Sequence, residues 1–569
     1  MKPQAPPPKA YSDVEIVRLV WLAIFISVFS FLFYNRNNDV LLYGDAVAHI
    51  NIARRVFDSM TPGLLQVGTV WLPLPHLLIL PFVVSKQMWQ SGSGGSIPSM
   101  AGYVLGVLGI FRLVRSALRR NGEEGSGTPA EAWAAVILYC ANPNLIYMQA
   151  TAMSESLYLA LFIWVVVYFS DFASGGMQSS RSLTKCGVCL VAASFTRYDG
   201  WFLATSMIVG AAVISISAFK RNNDAPKLAV TPSRLALVKF ILLATIAPAV
   251  WLAYNAAVYR NPLEFANGPY SAKAIAQKTA TINPANRNLK AAESYFLKAA
   301  ELNVSEGTWL GRFWLALAVL GSVAAAFTGR GRTALWLWVP LPFYALSLAY
   351  GSIPIFLPTW WPFSYYNVRY GLQLLPAFAV FVPLGISFIV QAATQIGQPK
   401  PVLSRRRSLA VFVSIIALAS ASYAGIWRVD PICLREATIN SRGRLALDRQ
   451  VANWLKSLPA DSTLLMYLGE HVGALEQVGI PLRRVINEGN HRVWKRPADP
   501  QGLWEGALAD PAQYADFVIG FEGDPVWKTA TDHHLPEFVE IHTTGQPRAG
   551  LFRGRTQAPG PNPRGNQPR

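Results

Sequence analysis

Long apolar runs separated by short polar connections dominate the chain, and the first, about Ile16 to Tyr34, is long enough to cross ~30 Å of hydrocarbon as a helix. A second covers 97 to 118. Others lie near Ala130 to Met148, Met153 to Ser170, the stretch rising to Thr196, Trp201 to Ala218, 235 to 258, 309 to 327, 333 to 350, Arg369 to Val390 and 408 to 427, about eleven in all. Residues 70 to 89 are also apolar, but Pro73, Pro75 and Pro81 interrupt them. If this segment and 97 to 118 both crossed, Arg112, Arg115, Arg119 and Arg120 would break the rule that basic connections stay cytoplasmic. Residues 70 to 89 are therefore expected to be re-entrant or interfacial. Nearly every later basic cluster, including Arg181 with Lys185, Lys220 with Arg221, Arg330 with Arg332, and Lys400 with Arg405 to Arg407, then falls on one side.

From Arg428 the pattern changes. Arg444 to Leu458 and His471 to Gly479 have helical periodicity, whereas Ser462 to Leu468, Arg484 to Asn487, Phe517 to Phe521 and Phe538 to His542 have the pattern of short strands. The predicted fold class is an all-α polytopic membrane protein of about 11 transmembrane helices with a C-terminal extracytoplasmic α/β domain. The expected divisions are a disordered cytoplasmic tail at 1–15, a membrane domain at 16–427, the α/β domain at 428–555 and a disordered Pro/Gly/Arg tail at 556–569. Within the membrane domain, 35–96 forms a first outer loop with juxtamembrane helices, and 260–308 a second outer loop.

Composition agrees with a membrane protein: 52% of the 569 residues are hydrophobic and 14% charged. The formal net charge of +18 is scattered in clusters between apolar runs, so it is assigned to topology, then to anionic lipid or a phosphate-bearing substrate, and not to nucleic acid. Cys140, Cys186, Cys189 and Cys433 form no disulfide framework, and Cys186 with Cys189 is expected in the core. The first apolar run lacks a small-residue cleavage site and should stay as an anchor.

Candidate chemistry collects where spans end on the outer side. Asp45, Glu155, Arg197, Asp199 and Arg369 are far apart in sequence, yet the charge-based topology puts all five on one face. Ionisable groups at an apolar boundary are costly unless paired or used. Structural roles compete: Asp45 as a helix N-cap, Glu155 as a helix-start acid, Arg197 with Asp199 as a neutral pair, Arg369 as an interfacial anchor. The functional alternative is sugar transfer from a lipid-linked phosphosugar. Asp45 would accept the acceptor's proton, and Arg369, with Arg197 as helper, would hold the phosphate, because a guanidinium binds phosphate bidentately and keeps its charge. Glu155, His49, Asp199 and Tyr366 are candidates for sugar or acceptor contacts. His49 lies one helical turn beyond Asp45 and could orient its carboxylate. Trp360, Trp361, Tyr365 and Tyr366 would shield the donor. His76 is expected in a turn, His533 and His534 at the surface, and the sequon Asn303-Val304-Ser305 outward.

Tyr43-Gly44-Asp45, Gly68 to His76, Met153-Ser154-Glu155, Thr196 to Asp199 and Tyr366 to Tyr370 together resemble the GT-C superfamily of integral-membrane glycosyltransferases. The layout is similar to the branch of protein O-mannosyltransferases and lipid A aminoarabinose transferases. This resemblance covers roughly 16 to 427 and implies a polyprenyl-phosphate sugar donor and Asp45 as the first-loop catalytic acid; the single well-placed acid favours attack without a covalent enzyme intermediate and so inversion at the sugar carbon, and the acceptor, lipid, protein or polysaccharide, stays open. Gly44 and Ala46 flank that acid where more than one acid would suit metal-assisted chemistry. No cofactor or metal ligand set is assigned, and a divalent metal stays open. The short basic N-terminus and the lone sequon favour the periplasmic face of a bacterial inner membrane over an ER lumen as the expected location of the site. A lipid-linked-sugar transporter or flippase is the alternative, with its charges then near the bilayer midplane.

Overall fold

The computed structural model describes residues 13–118, 130–174, 179–224, 234–269, 271–278, 283–329, 331–351, 353–395, 405–469, 471–491 and 502–555. The tails at 1–12 and 556–569, with Arg119, Arg120, Arg330 and Lys400, lie outside the described residues. The chain is an integral, multi-pass membrane protein built on a helical bundle.

Its helices are α1 (Asp13–Arg36), α2 (Gly44–Arg55), α3 (Pro73–Ile79), α4 (Lys86–Gln90), α5 (Ser93–Leu118), α6 (Ala130–Cys140), α7 (Pro143–Gln149), α8 (Glu155–Ala173), α9 (Ser179–Ser194) and α10 (Asp199–Asp224). There follow α11 (Arg234–Tyr259), α12 (Glu264–Asn267), α13 (Ala272–Lys278), α14 (Leu289–Val304), α15 (Thr308–Thr328), α16 (Pro340–Tyr350), α17 (Leu375–Gln395), α18 (Arg405–Arg428) and α19 (Ile432–Leu455). Among the described residues, nine helical stretches are long and apolar enough to cross a bilayer. The expected spans at 130–148 and before Thr196 are shorter helices: α6 has 11 residues, followed by a turn capped by Asn142, and α9 has 16. Residues 70–89 hold only α3 and part of α4, neither long enough to cross. Pro73 and Pro75 sit in the first turn of α3, where a missing N–H costs nothing.

The last span continues further than its apolar run. After a break at Asp430 and Pro431 the chain resumes as α19, which begins twelve residues before the expected start at Arg444. The inward face of α19 carries Glu436, Ser441, Arg444 and Asp448 as well as Ile432, Ala437, Leu447 and Val451. Buried polar groups at helical spacing hide such a face from a hydrophobicity pattern.

The C-terminal part folds around one mixed sheet of β1 (Leu464–Met466), β2 (Val485–Ile486), β3 (Phe517–Phe521), β4 (Glu537–Ile541) and β5 (Ala549–Arg553). Their order is β2-β1-β3-β5-β4, parallel across β2, β1 and β3 and antiparallel at β5. β5 is the strand the sequence pattern missed: Ala549 and Gly550 lack β propensity, and pairing on both sides holds them in place. A seven-residue helix, α20 (Val472–Val478), ends at Gly479 in the left-handed conformation, φ 75°.

This unit shares a core with the first loop. Val47, Ile50 and Ala53 of α2 pack with Leu447, Leu464, Leu475 and Leu482. Polar ties reinforce the seam: Asn51 Nδ2 donates to Glu476 Oε2 at 2.7 Å, Gln66 Nε2 to the Gly489 carbonyl at 2.8 Å and Arg444 Nη2 to the Leu42 carbonyl at 2.9 Å. α2 is thereby fixed from the side opposite the membrane bundle.

Asn303 is packed inside the protein. It is 1% exposed, and its Nδ2 donates to the carbonyls of Ala299 and Val368, both at 2.8 Å. The sequon is a packing element of α14.

Candidate active site

Four separate segments meet at Arg369. Tyr43 precedes α2 in extended conformation, so Asp45 falls in the first turn, where the helix N-terminus favours an acid. Asp45 is therefore not the N-cap, a position Tyr43 occupies without a side-chain cap bond. Glu155 opens α8. Arg197 lies in the turn between α9 and α10, and Asp199 starts α10. Arg369 follows Asn367, whose φ of 56° is left-handed, a conformation asparagine tolerates better than most side chains. The Asn367 side chain donates to the Pro354 carbonyl at 3.0 Å, and the N–H groups of Asn367 and Val368 donate to Glu436 at 3.1 and 2.7 Å. Gly371 lets the turn approach α14: a Cβ there would lie 2.4 Å from the Ala299 backbone.

The Arg369 guanidinium uses a different nitrogen for each of three acids. Nη2 donates to Asp45 Oδ2 at 2.5 Å, Nε to Glu155 Oε1 at 3.1 Å and Nη1 to Glu436 Oε1 at 3.0 Å. Arg197 joins through the same Glu155 oxygen at 3.1 Å, and also bonds Asp199 at 3.3 Å and the Tyr344 hydroxyl at 3.2 Å. Tyr344 in turn donates to Asp199 Oδ2 at 2.7 Å. The rings of Tyr43 and Tyr370 lie 4.8 and 5.2 Å from the Arg369 guanidinium carbon, and Tyr370 also lies 5.2 Å from that of Arg197.

Exposure divides the network. The side chains of Glu155 and Glu436 are 1% exposed and Arg369 8%, whereas Asp45 is 35% exposed. Two buried carboxylates thus fix the guanidinium, and the third lies at the open side. Glu155 Oε2 is buried with no hydrogen-bond partner.

His49 does not orient Asp45. Its Nδ1 lies 2.9 Å from Nε2 of His76, and its ring meets Trp71 edge-on at 4.6 Å. Burial holds the His49 imidazole down at about 4 and pushes His76 well below the usual range, so both are neutral at physiological pH. His76 sits within α3 as a buried partner, not in a turn. Tyr366 lies beyond the left-handed turn at Asn367, 42% exposed, with its backbone paired to Phe356 and its ring 5.7 Å from that of Phe356. Of the aromatic group near it, Trp360 lies 5.1 Å from Tyr295 and the Trp361 carbonyl accepts from the Tyr295 hydroxyl at 2.7 Å. Among the described residues, no three His, Cys, Asp or Glu side chains are grouped to hold a metal ion.

Glu436 and Tyr344 belong to the network although the sequence pattern did not point to them. Glu436 sits on the polar face of α19, and Tyr344 lies inside an apolar span. An acid on a helix with Ile432, Cys433 and Ala437 buried beside it was the one signal for Glu436.

No family model matches the chain, and no curated protein matches it. Among solved structures it is similar to ArnT from Cupriavidus metallidurans bound to undecaprenyl phosphate, at 14% identity and a TM-score of 0.51, with 95% of this chain and 98% of that chain covered. The apo state of the same protein matches at 13% identity and 0.52 over the same shares. An archaeal oligosaccharyltransferase, AglB from Archaeoglobus fulgidus in complex with an inhibitory peptide and a dolichol phosphate, aligns at 13% identity, covering 96% of this chain and 74% of that one, with a TM-score of 0.46. The chain shares the fold of ArnT.

Proposed function

We propose that the chain is a glycosyltransferase that moves a monosaccharide from a polyprenyl-phosphate donor to an acceptor hydroxyl, on the periplasmic face of a bacterial inner membrane. The observation that carries this reading is the triple hold on Arg369, with two buried acids behind it and the exposed Asp45 in front. The donor phosphate takes the Nη2 position that Asp45 occupies, and Arg197 supports it through Glu155. Asp45, released, accepts the proton of the acceptor hydroxyl as that oxygen bonds to the sugar carbon. The carbon–phosphate oxygen bond breaks, and the negative charge leaves on polyprenyl phosphate, which Arg369 stabilises. Attack from the side opposite the phosphate inverts the sugar carbon. Glu155, whose second carboxylate oxygen has no protein partner, accepts a substrate hydroxyl. The solved ArnT structure bound to undecaprenyl phosphate shares the fold and supports a lipid phosphate as ligand.

The test uses the purified chain, a polyprenyl-phosphate monosaccharide and candidate lipid, protein or polysaccharide acceptors. Release of polyprenyl phosphate should equal the amount of new glycosidic product. Movement of the lipid-linked sugar across sealed vesicles with no new glycosidic bond would replace this reading with a transporter.

A further inference from the structure

A cleft of about 410 Å3 opens between the end of α1 and the first turns of α19, and none of the residues of the Arg369 network lines it. Its walls combine Phe33 and Leu434 with Asp39, Asp430, Arg435 and Arg442. The charges are unmatched although both signs are present. Among the described residues, Asp39, Asp430 and Arg442 make no ion pair. Arg435 bonds Glu306 at 2.6 Å, but its Nε is buried without a partner. Asp39 is partly buried, and burial followed by the charge of Asp430 pushes its carboxyl up to about 6. Asp430 is held at the α18–α19 break with a left-handed φ of 66°.

The cleft stands where two membrane helices end. Phe25, Phe29 and Phe33 form a stripe at four-residue spacing along α1, exposed by 67%, 64% and 53%, and lead up to it. Such a stripe faces acyl chains, and Trp427, 44% exposed near the end of α18, sits at the same boundary.

We infer that this cleft binds the headgroup of a glycerophospholipid carrying both a phosphate and a primary ammonium. The phosphate lies against Arg442 and the free Nε of Arg435, and the ammonium donates to Asp39 and Asp430. Glu306 offsets Arg435, so the two carboxylates outweigh the one uncompensated cation and disfavour an anionic headgroup. A primary ammonium offers three hydrogen-bond donors to the two acids, whereas a quaternary ammonium offers none. The ligand is therefore of the phosphatidylethanolamine class, as a bound lipid beside the proposed active site and independent of its chemistry.

Native mass spectrometry of the full-length protein in detergent, titrated with phosphatidylethanolamine, phosphatidylcholine and phosphatidylglycerol of equal chain length, tests the assignment. Retention of the ethanolamine lipid should exceed that of the other two by about tenfold, or ~1.4 kcal/mol. The double variant Asp39→Asn/Asp430→Asn should bring it down to the choline lipid's level, and Arg442→Glu should weaken both zwitterionic lipids. Thermal unfolding of each variant confirms that it is folded. Equal retention of the three lipids by the wild type, or an ethanolamine preference that survives the double substitution, would overturn the inference. Displacement of the lipid by equimolar soluble glycerophosphoethanolamine would overturn its lipid half.

Discussion

Replacing Asp45 by Asn separates the catalytic from the structural role of this residue. The amide keeps the shape, and its oxygen can still accept from Arg369 Nη2, which bonds the carboxylate at 2.5 Å. The cost in stability is small: Asp45 is 35% exposed, and Arg369 retains Glu155 and Glu436. An ion pair at that exposure contributes about 0 to 1 kcal/mol. The catalytic cost is larger, because an amide cannot take a proton. Loss of a general base lowers turnover by roughly 10²- to 10⁴-fold, about 3 to 5 kcal/mol in the barrier. Donor affinity should hold or rise, since the phosphate no longer competes with a carboxylate for Nη2. The assay is steady-state transfer from a polyprenyl-phosphate sugar, with kcat and donor KM measured separately and thermal unfolding run on the same preparation. A kcat within threefold of wild type would remove Asp45 from the proton transfer. A loss of turnover matched by a large fall in melting temperature would make its role structural.

Arg369→Lys should raise the donor KM more than about tenfold and lower the melting temperature, because one ammonium cannot meet Asp45, Glu155 and Glu436 together. Breaking a buried pair of this kind costs about 3 to 5 kcal/mol. Tyr344→Phe removes the hydroxyl that joins Asp199 to Arg197 and should cost about 1 to 2 kcal/mol in thermal or denaturant unfolding, with a smaller fall in kcat than Asp45→Asn. Expressed in a eukaryotic secretory membrane, the chain should carry no endoglycosidase-sensitive glycan at Asn303, which is packed inside; a mass shift there would contradict the burial of α14. Burial pushes the Glu476 carboxyl up to about 8. The unfolded chain ionises this group near its ordinary value while the folded chain keeps its proton, so stability falls as pH rises from about 4.5 to 8 and levels off above. Glu476→Gln should flatten that slope in melting curves; an unchanged slope would assign it to other groups.

The large-scale plan was legible because membrane insertion writes itself into sequence as apolar length and basic connections. Both signals are additive along the chain and do not depend on tertiary detail. The same signals put Asp45, Glu155, Arg197, Asp199 and Arg369 on one face, and the structure joins all five in one network. Contacts that depend on the order of helices in space were not legible. Glu436 arrives from α19, a helix whose polar inner face looks like solvent-exposed surface until Arg369 is placed against it. His49 shares a helical face with Asp45, yet α3 brings His76 to its ring.

The exposure gradient around Arg369 decides which of its acids yields to a substrate. If a phosphate displaced Glu155 or Glu436, a carboxylate with a side chain 1% exposed would lose a guanidinium with no solvent to replace it, leaving Glu155 only Arg197, a loss that costs several kcal/mol. Glu436 would also have to abandon two backbone N–H groups. Asp45 can leave Nη2 and be solvated, so it yields first. Displacement has a chemical consequence as well. A carboxylate hydrogen-bonded to a guanidinium is a poor proton acceptor, and one relieved of that partner beside a newly bound phosphate is a better one. Donor binding would therefore arm the base in the same step that seats the leaving group, and little proton acceptance would occur before the donor is in place. Hydrolysis of the lipid-linked sugar by water measures the outcome: with donor saturating and acceptor absent, Asp45→Asn should suppress the slow hydrolytic release of polyprenyl phosphate by the same factor as transfer. A hydrolysis rate unaffected by the substitution would mean that Asp45 binds the acceptor without accepting its proton.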